Sequence, residues 1–139
     1  MKDKVFIDTN LLIYSMDSRS KAKQKLARNL LKDIYIQGAG VISTQVLEEF
    51  YVASTKKLKM NPSIVREIIS FFDKFEVVHI STELIREAID VNILNKISFW
   101  DALIIVSAEF AKCSILLTED LNAGQTIKGV QIVNPFSTV

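Results

Sequence analysis

The stretch VFIDTN, residues 5–10, is a short apolar run that ends at an acid and leads directly into a helical pattern. The apolar residues Val5 to Ile7 predict a short buried strand, and a helix is predicted from about Thr9. Asp8 therefore stands where a strand gives way to a helix. In an open parallel sheet, ligands bind beyond the carboxyl ends of the strands. This stretch thus predicts a fold class and one corner of a functional site.

The alternation of short apolar runs with longer helical stretches continues along the chain. Further strands are predicted at residues 41–43, 76–78, 114–118 and 130–133, and further helices at about 21–37, 44–59, 61–74, 82–95 and 98–112. Strands that alternate with helices indicate a parallel sheet, and continuously apolar strands suit a sheet covered on both faces. We expect an α/β fold with three layers, α/β/α, around a central five-stranded parallel sheet.

Composition narrows the class of protein further. The 139 residues suit one domain, residues 1–139, and 49% of them are apolar, enough for a well-filled core. The single cysteine cannot form an internal disulfide, so a reducing compartment fits best. No apolar stretch approaches the ~18 residues of a membrane span, and we expect a cytoplasmic protein without a membrane partner. The net charge of +1 neither requires nor excludes nucleic acid.

Four acids fall where the predicted topology meets the carboxyl edge of the sheet. Asp8 ends the first strand, and Glu49 lies in the opening turns of the helix after the second. Asp101 lies in the first turn of the helix that leads into the fourth strand, and Asp120 follows that strand by two residues. A helix that runs back along a parallel strand begins at the strand's carboxyl edge. The four acids are therefore expected to converge on one rim of the sheet.

Each acid also has an ordinary structural explanation. Asp8 could cap the following helix, and Asp101 could be the acid of a capping box that begins at Ser98. Asp120 could be a turn residue. Glu49 could be a solvated helix charge, and on a helical wheel it points away from the apolar face that its neighbour Glu48 flanks. Periodicity alone therefore does not choose between the two glutamates.

The motifs around these acids resemble those of PIN-domain nucleases of the VapC toxin type. FIDTN at 6–10 resembles the opening motif of that family, and STQVLEEF at 43–50 resembles the second, which selects Glu49 as the acid. SFWDALI at 98–104 resembles the third motif, with its acid at Asp101, and LTEDL at 117–121 the fourth, with an acid at Asp120. IVNPF at 132–136 is similar to the ending of this subgroup. The resemblance spans nearly the whole chain, and Glu119 beside Asp120 is its one ambiguity.

This resemblance implies a PIN fold, dependence on Mg²⁺ or Mn²⁺, and hydrolysis of RNA phosphodiester bonds. Asp8, Glu49 and Asp101 would be the main metal ligands, and Asp120 would bind a second metal or orient the attacking water. The candidates for hydrogen bonds to these ligands are Thr9, Asn10, Ser43 and Thr118, which are equally well explained as caps and turn residues. The resemblance also implies the toxin of a toxin–antitoxin pair, with an antitoxin protein as partner, and we expect a homodimer.

Other residues carry weaker signals. The cations Lys21, Lys25, Arg28 and Lys32 form one stripe on a helix, which is either a solvated face or a contact for RNA phosphates. His79 is interpreted as structural. Phe99 and Trp100 are interpreted as core residues, although an aromatic side chain near the site could stack on a base. The segment 61–75 carries more apolar residues than one helix face can bury, which indicates a partner surface.

A toxin nuclease has three alternatives. A receiver-type signalling domain also has a five-stranded α/β sheet with acids at its carboxyl edge, but it would need adjacent acids after strand one and an aspartate after strand three. Here Thr9 and Asn10 follow Asp8, and HIST at 79–82 follows strand three, so this alternative is disfavoured. The four intact acids argue against a PIN-like binding module without catalysis. A PIN nuclease in RNA processing would need no antitoxin. Metal-dependent RNA cleavage by the pure protein separates a nuclease from the two binding modules.

Overall fold

A computed structural model describes residues 3–138 of the protein. The strands are β1 (Lys4–Ile7), β2 (Gly40–Ser43), β3 (Glu76–Val78), β4 (Cys113–Leu117), β5 (Thr126–Ile127) and β6 (Val130–Val133). The helices are α1 (Thr9–Met16), α2 (Lys21–Gln37), α3 (Thr44–Lys56), α4 (Pro62–Phe72), α5 (Thr82–Asn95) and α6 (Phe99–Phe110). The chain thus alternates between strands and helices over most of its length.

The six strands form one mixed sheet in the order β3-β2-β1-β4-β6-β5. All neighbouring strands pair in parallel except β5, which pairs antiparallel with β6. From β1 the chain first adds strands on one side and then crosses to add β4 on the other. β1 and β4 therefore flank the point where the strand order reverses, which is where α/β sheets bind their ligands.

Local sequence explains where the helices begin and end. Gly38 ends α2 in the left-handed conformation, with φ of 65°, which costs glycine little because it has no Cβ. Asn61 caps α4, accepting a hydrogen bond from the Ser63 N–H, and Pro62 occupies the first helical position. All four residues of β2 are buried, so helices cover both faces of the sheet there. Residues 102–108 of α6 are also all buried.

The fold prediction is confirmed, with corrections at the edges. The five predicted strands and all the predicted helices are present, but the helix predicted over 44–59 ends at Lys56. The sheet has a sixth strand, β5, whose two residues are too few to leave a periodic pattern in the sequence. The strand order also differs from the order 2-1-3-4-5 of flavodoxin-like sheets, to which receiver domains belong. The receiver-type alternative is therefore wrong.

Two further expectations concern the environment of the chain. Within residues 3–138, no helix is both long enough and apolar enough to cross a membrane. Cys113 is a free thiol that is buried at the start of β4, and burial raises its pKa to about 12. A buried thiol with so little thiolate is inert, so it packs as a small apolar side chain.

Candidate active site

The two strands at the switch point place an acid and a threonine side by side. Asp8 follows β1 and Thr118 follows β4, and the Asp8 N–H donates to the Leu117 carbonyl at 3.1 Å. The hydroxyl of Thr118 donates to Oδ2 of Asp8 at 2.8 Å. Thr118 is fully buried and Asp8 is only 5% exposed. The carboxyl edge of the sheet is therefore built around a buried carboxylate.

Asp8 has a strongly perturbed pKa. Burial raises it to about 6, and the nearby charges of Asp120 and Glu49 add to this effect. Hydrogen bonds from Thr118 and from the Thr9 N–H, which lies 2.7 Å from Oδ1, oppose the shift without cancelling it. Asp8 caps α1 through the Thr9 contact, as its ordinary explanation predicts. Capping does not explain the second hydrogen bond to Asp8, which the buried hydroxyl of Thr118 donates from the end of β4.

Thr118 connects three parts of the rim. Besides donating to Asp8, its Oγ1 accepts hydrogen bonds from the Asn10 side-chain amide at 3.4 Å and from the Asp120 N–H at 3.1 Å. One buried hydroxyl thus fixes the Asp8 carboxylate and the backbone at Asp120. This contact places two of the predicted site residues relative to each other.

Glu49 is held by hydrogen bonds from two directions. Its Oε1 accepts from the Thr9 hydroxyl at 2.8 Å, and its Oε2 accepts from the Gln45 amide at 3.4 Å. Thr9 therefore touches Asp8 with its backbone and Glu49 with its side chain. Glu48, by contrast, is exposed. The geometry brings Glu49, and not Glu48, to the rim beside Asp8.

The charge of Asp101 acts on the other remaining acid, Asp120. Asp120 is exposed, yet nearby protein atoms desolvate its carboxylate enough to raise its pKa, and the charge of Asp101 raises it further. Asp101 lies in the first turn of α6, where its N–H donates to the Ser98 hydroxyl at 3.1 Å. Ser98 is therefore the helix cap, as one ordinary explanation of this motif predicts. The Asp101 carboxylate is close enough to act on Asp120.

Glu119 lies at the same edge, but its carboxylate is bound by other partners. Its carboxylate accepts hydrogen bonds from Lys23 and from the Tyr14 hydroxyl, each at 2.7 Å. Burial alone would raise the pKa of Glu119, but these two donors outweigh burial and lower it. The ammonium of Lys23 also lies 4.6 Å from the centre of the Tyr14 ring, a cation–π distance. Glu119 is thus neutralised by its own partners, and Asp120 is the better candidate ligand of the two.

A cavity of about 440 Å³ lies at this edge, and its walls include Asp8, Glu49 and Asp120. Two cations, Arg19 and Lys57, also line it. Neither was predicted as a site residue. Arg19 lies in the loop before α2, and Lys57 falls in the last turn of the predicted helix 44–59, where no pattern relates it to the acids. Their place beside three acids makes them candidate phosphate contacts.

The donor chemistry of this cavity fits a hard divalent cation, although the side-chain positions require adjustment. Carboxylate oxygens suit Mg²⁺ and Mn²⁺, and a cation would relieve the charge crowding that helps raise the pKa of Asp8. Within residues 3–138, however, no three candidate ligands are placed to hold a metal ion as they stand. A shared ion would require side-chain rotation, which the exposed Asp120 and the half-buried Asp101 can make.

The structure separates the other predicted site residues into two groups. Thr9, Asn10 and Thr118 contact the acids or each other at the rim. Ser43 instead caps α3, where its hydroxyl accepts from the Val46 N–H at 3.3 Å, which is its ordinary explanation. The stripe of cations lies on α2, away from the cavity walls, and consists of Lys21, Lys25, Arg28 and Lys32. Its role in RNA binding stays a prediction.

The interpretation of Trp100 as a core residue is wrong. Its side chain is 61% exposed, while Phe99 beside it is half-buried and packs against the core. The two rings meet edge to face, with centroids 5.1 Å apart. Apolar periodicity could not reveal this, since the first turn of α6 lies at the rim and not over the sheet.

His79 is exposed after β3.

Comparison with known structures finds the same fold in other chains. A toxin–antitoxin complex from Klebsiella pneumoniae matches with a TM-score of 0.70 and 22% identity, over 96% of this chain and 98% of that one. DNA-bound VapBC from Salmonella typhimurium matches with a TM-score of 0.67 and 18% identity, over 94% and 97%.

A third structure, the sarcin–ricin loop cleaving toxin VapC20 of Mycobacterium tuberculosis, matches with a TM-score of 0.66 and 16% identity, over 81% of this chain and 87% of that one. At these identities the likeness establishes the fold alone. No curated protein matches the sequence in direct comparison. The PIN domain family, however, matches residues 5–127, which include all four acids of the rim. The chain therefore belongs to the PIN domain family.

Proposed function

We propose that this protein is a metal-dependent endoribonuclease and the toxin of a toxin–antitoxin pair. The observation that carries the proposal is the convergence of Asp8, Glu49 and Asp120 on one cavity, with Asp101 close enough to act on Asp120. Crowded carboxylates at a ligand-binding edge are costly unless a cation compensates them. Membership of the PIN family and the likeness to VapC toxins support the same conclusion.

In this proposal Asp8, Glu49 and Asp101 would hold Mg²⁺ or Mn²⁺, with Asp120 as a further ligand or a contact for water. A cation bound there would supply positive charge to polarise the phosphodiester and acidify a water molecule. Thr118 and the Thr9 N–H fix the Asp8 carboxylate, and Thr9 and Gln45 fix Glu49. Such outer contacts orient metal ligands and maintain their charge.

The cations on the cavity wall would bind the RNA backbone. Arg19 is held by Asp17, whose carboxylate oxygens accept from its guanidinium at 2.9 and 3.0 Å. The charge of Lys57 partly opposes the upward shift in the pKa of Asp120, so this charge reaches the rim. An acidic site repels phosphates unless positive charge lies nearby. We infer that Arg19 and Lys57 hold the phosphates that flank the cleaved bond.

The direct test is cleavage of RNA by the purified protein. We expect cleavage of a single-stranded RNA in Mg²⁺ or Mn²⁺, its loss on chelation, and its return when either metal is added back. A DNA strand of the same sequence serves as the control for substrate class. If the protein cleaves no RNA with either metal, the nuclease proposal is wrong and a PIN-like binding module becomes the better explanation.

The basic stripe on α2 provides a separate prediction. Lys21, Lys25 and Lys32 are exposed and can reach a phosphate backbone, whereas the Arg28 guanidinium donates to the Ser15 carbonyl at 2.8 Å. The slope of log K against log salt is negative, and for a single strand its magnitude should fall by about 0.7 for each phosphate that the protein ceases to neutralise. Replacing Lys21 and Lys25 by alanine should thus weaken RNA binding and reduce the magnitude of the slope by about 1.4. The control is Lys112→Ala, before the amino end of β4, which should leave the slope unchanged. If the double variant has the slope of the wild type, the stripe is a solvated face and not an RNA contact.

An antitoxin would restrain such an enzyme, and exposed apolar surface offers it a place. On α4, Ile64 is 55% and Phe71 is 64% exposed, while Val65 and Phe72 are buried. On the neighbouring α3, Tyr51 and Val52 are also exposed. An amphipathic helix laid along α3 and α4 would bury this surface. A second copy of the chain could cover it instead, as the expected homodimer requires.

Control by an antitoxin leads to a prediction about metal. If the partner extends an arginine or lysine to the rim, it offsets the same carboxylates that a divalent cation needs. Inhibition should then weaken as Mg²⁺ or Mn²⁺ is raised, since the two cations compete for one cluster. The measurement is RNA cleavage by a fixed amount of purified complex during a metal titration. Inhibition that does not respond to metal would rule out direct competition.

A further inference from the structure

An apolar groove lies beside the acidic cavity. It has a volume of about 520 Å³, within the range of roughly 300–1,000 Å³ typical of ligand sites. Its apolar walls are Val52 and Ala53 of α3 and Trp100 of α6, and two lysines, Lys56 and Lys57, and two glutamates, Glu48 and Glu49, also line it. The Trp100 indole is 61% exposed and rests against Phe99. The groove therefore presents an aromatic surface with two cations and two acids around it.

The groove and the acidic cavity share a wall. Glu49, Ala53 and Lys57 line both, so the two spaces adjoin each other. Trp100 also directly precedes Asp101 in the first turn of α6. A polymer bound across the acids would enter the groove within one or two of its units.

Gln45 ties the two spaces together. Its side-chain amide donates both to Oε2 of Glu49, at 3.4 Å, and to the Trp100 carbonyl, at 3.2 Å. The side chain is only 4% exposed, so this bridge is a buried one. One residue thus fixes a predicted metal ligand and the backbone of the aromatic residue relative to each other. A ligand on Trp100 would be held at a set position relative to Glu49.

We propose that this groove is a nucleobase subsite, in which a base next to the cleaved phosphate stacks on Trp100 while Lys56 and Lys57 contact the adjoining phosphates. This inference rests on the proposed ribonuclease function and adds a feature that selects the cleavage site. An exposed aromatic face beside cations is the chemistry by which proteins hold single-stranded nucleic acid. The shared wall with the acidic cavity favours the substrate over a protein side chain as the occupant.

Trp100 is the only tryptophan in the chain, so its fluorescence reports the groove directly. The experiment uses Asp8→Asn protein, which keeps the RNA intact, and titrates it with a single-stranded 12-nucleotide RNA. An abasic strand of the same length and charge is the control. We expect the RNA to quench the Trp100 emission and the abasic strand to leave it nearly unchanged. Equal quenching by both strands, or none by either, overturns the subsite.

Binding of a labelled RNA to variants provides the second measurement. Trp100→Leu should weaken binding about 5- to 150-fold, the range for one stacked base, and Trp100→Phe should recover part of the loss. The matched control is Phe110→Leu, at the other end of α6, where the side chain is 66% exposed; its affinity should equal that of the parent. Circular dichroism checks that each variant is folded.

Cleavage by variants with Asp8 intact separates this inference from the proposed function. In Trp100→Leu we expect KM to rise and kcat to change little, because stacking holds substrate and transition state alike. We also expect a changed preference among cleavage sites. If Trp100→Leu cleaves RNA with the KM and the cleavage sites of the wild type, the subsite is overturned and the proposed nuclease function stands. A wild-type protein that neither binds nor cleaves RNA overturns both.

Discussion

Glu49→Gln should abolish metal-dependent RNA cleavage, whereas Glu48→Gln should retain most of it. Glu49 contacts Thr9 and Gln45 at the rim and lines the cavity that contains Asp8. Glutamine is nearly isosteric but carries no charge, so it removes a hard anionic ligand without opening a cavity. Even residues that only support a metal ligand cost roughly 10- to 100-fold when replaced. We expect a loss beyond that range, measured as kcat/KM in Mg²⁺ and in Mn²⁺.

Glu48 is a close control because it is the same residue on the same helix, one position earlier. It is exposed, and a surface change of this kind shifts stability by less than about 0.5 kcal/mol. Both variants should therefore unfold at nearly the wild-type temperature. The reverse result, with Glu48→Gln inactive and Glu49→Gln active, would mean that the metal site lies on the other side of α3.

This pair of glutamates shows where prediction from sequence reaches its limit. A helical wheel gives only the direction of each side chain of α3 relative to the apolar face of that helix. On the wheel, Glu49 points away from this face. In the structure Glu49 turns to α1, whose Thr9 donates to it. A wheel contains no information about a neighbouring helix. Resemblance to the PIN motifs selected Glu49 because those motifs record the tertiary arrangement.

The fold itself was predictable because its signals are local. Apolar runs identify β1, β2, β3, β4 and β6, and glycine or proline identifies the helix ends at Gly38 and Pro62. The placement of Asp8 and Asp120 at one edge followed from topology, since parallel strands end on the same side. Each of these inferences needs only a few neighbouring residues and the alternation rule.

The features that sequence did not reveal depend on contacts between distant segments. Lys23 lies on α2 and neutralises Glu119 after β4, a pairing that no periodicity encodes. Gln45 has an ordinary place in α3 but bridges to α6. Exposure of Trp100 depends on where α6 begins relative to the sheet. Such long-range polar contacts determine the details of the site, while apolar patterning determines only its location.

Asp8→Asn should eliminate cleavage and yet stabilise the metal-free protein at neutral pH. The folded-state pKa of Asp8 is about 6, against 3.8 for a free side chain. Between these values the folded protein binds the proton more tightly than the unfolded chain, so stability falls as pH rises through this window. The charged form costs about 1–3 kcal/mol above pH 6, since each pKa unit corresponds to about 1.4 kcal/mol and burial outweighs the hydrogen bonds.

Asparagine carries no charge at any pH and therefore avoids this cost. We expect Asp8→Asn to exceed the wild type by about 1–3 kcal/mol at pH 7.5, with the gap closing toward pH 4 as wild-type Asp8 becomes protonated. Urea unfolding in a chelator at pH 4, 6 and 7.5 measures it. Asp90→Asn, an exposed change on α5, should show no such trend. A gap that is constant with pH would mean that Asp8 is not the group responsible.

Adding metal should reduce or reverse the difference in stability between Asp8→Asn and the wild type. A cation that binds only the folded wild type stabilises it by RT ln(1 + [L]/Kd), about 2.7 kcal/mol at a hundredfold excess over Kd. Asp8→Asn lacks one ligand and should gain little from the same concentration. The buried Asp8 carboxylate would then destabilise the metal-free protein and bind the cation in the metal-bound one. Metal binding would therefore offset the cost of burying this charge. A wild type that Mg²⁺ and Mn²⁺ leave unchanged in stability would contradict Asp8 as a ligand.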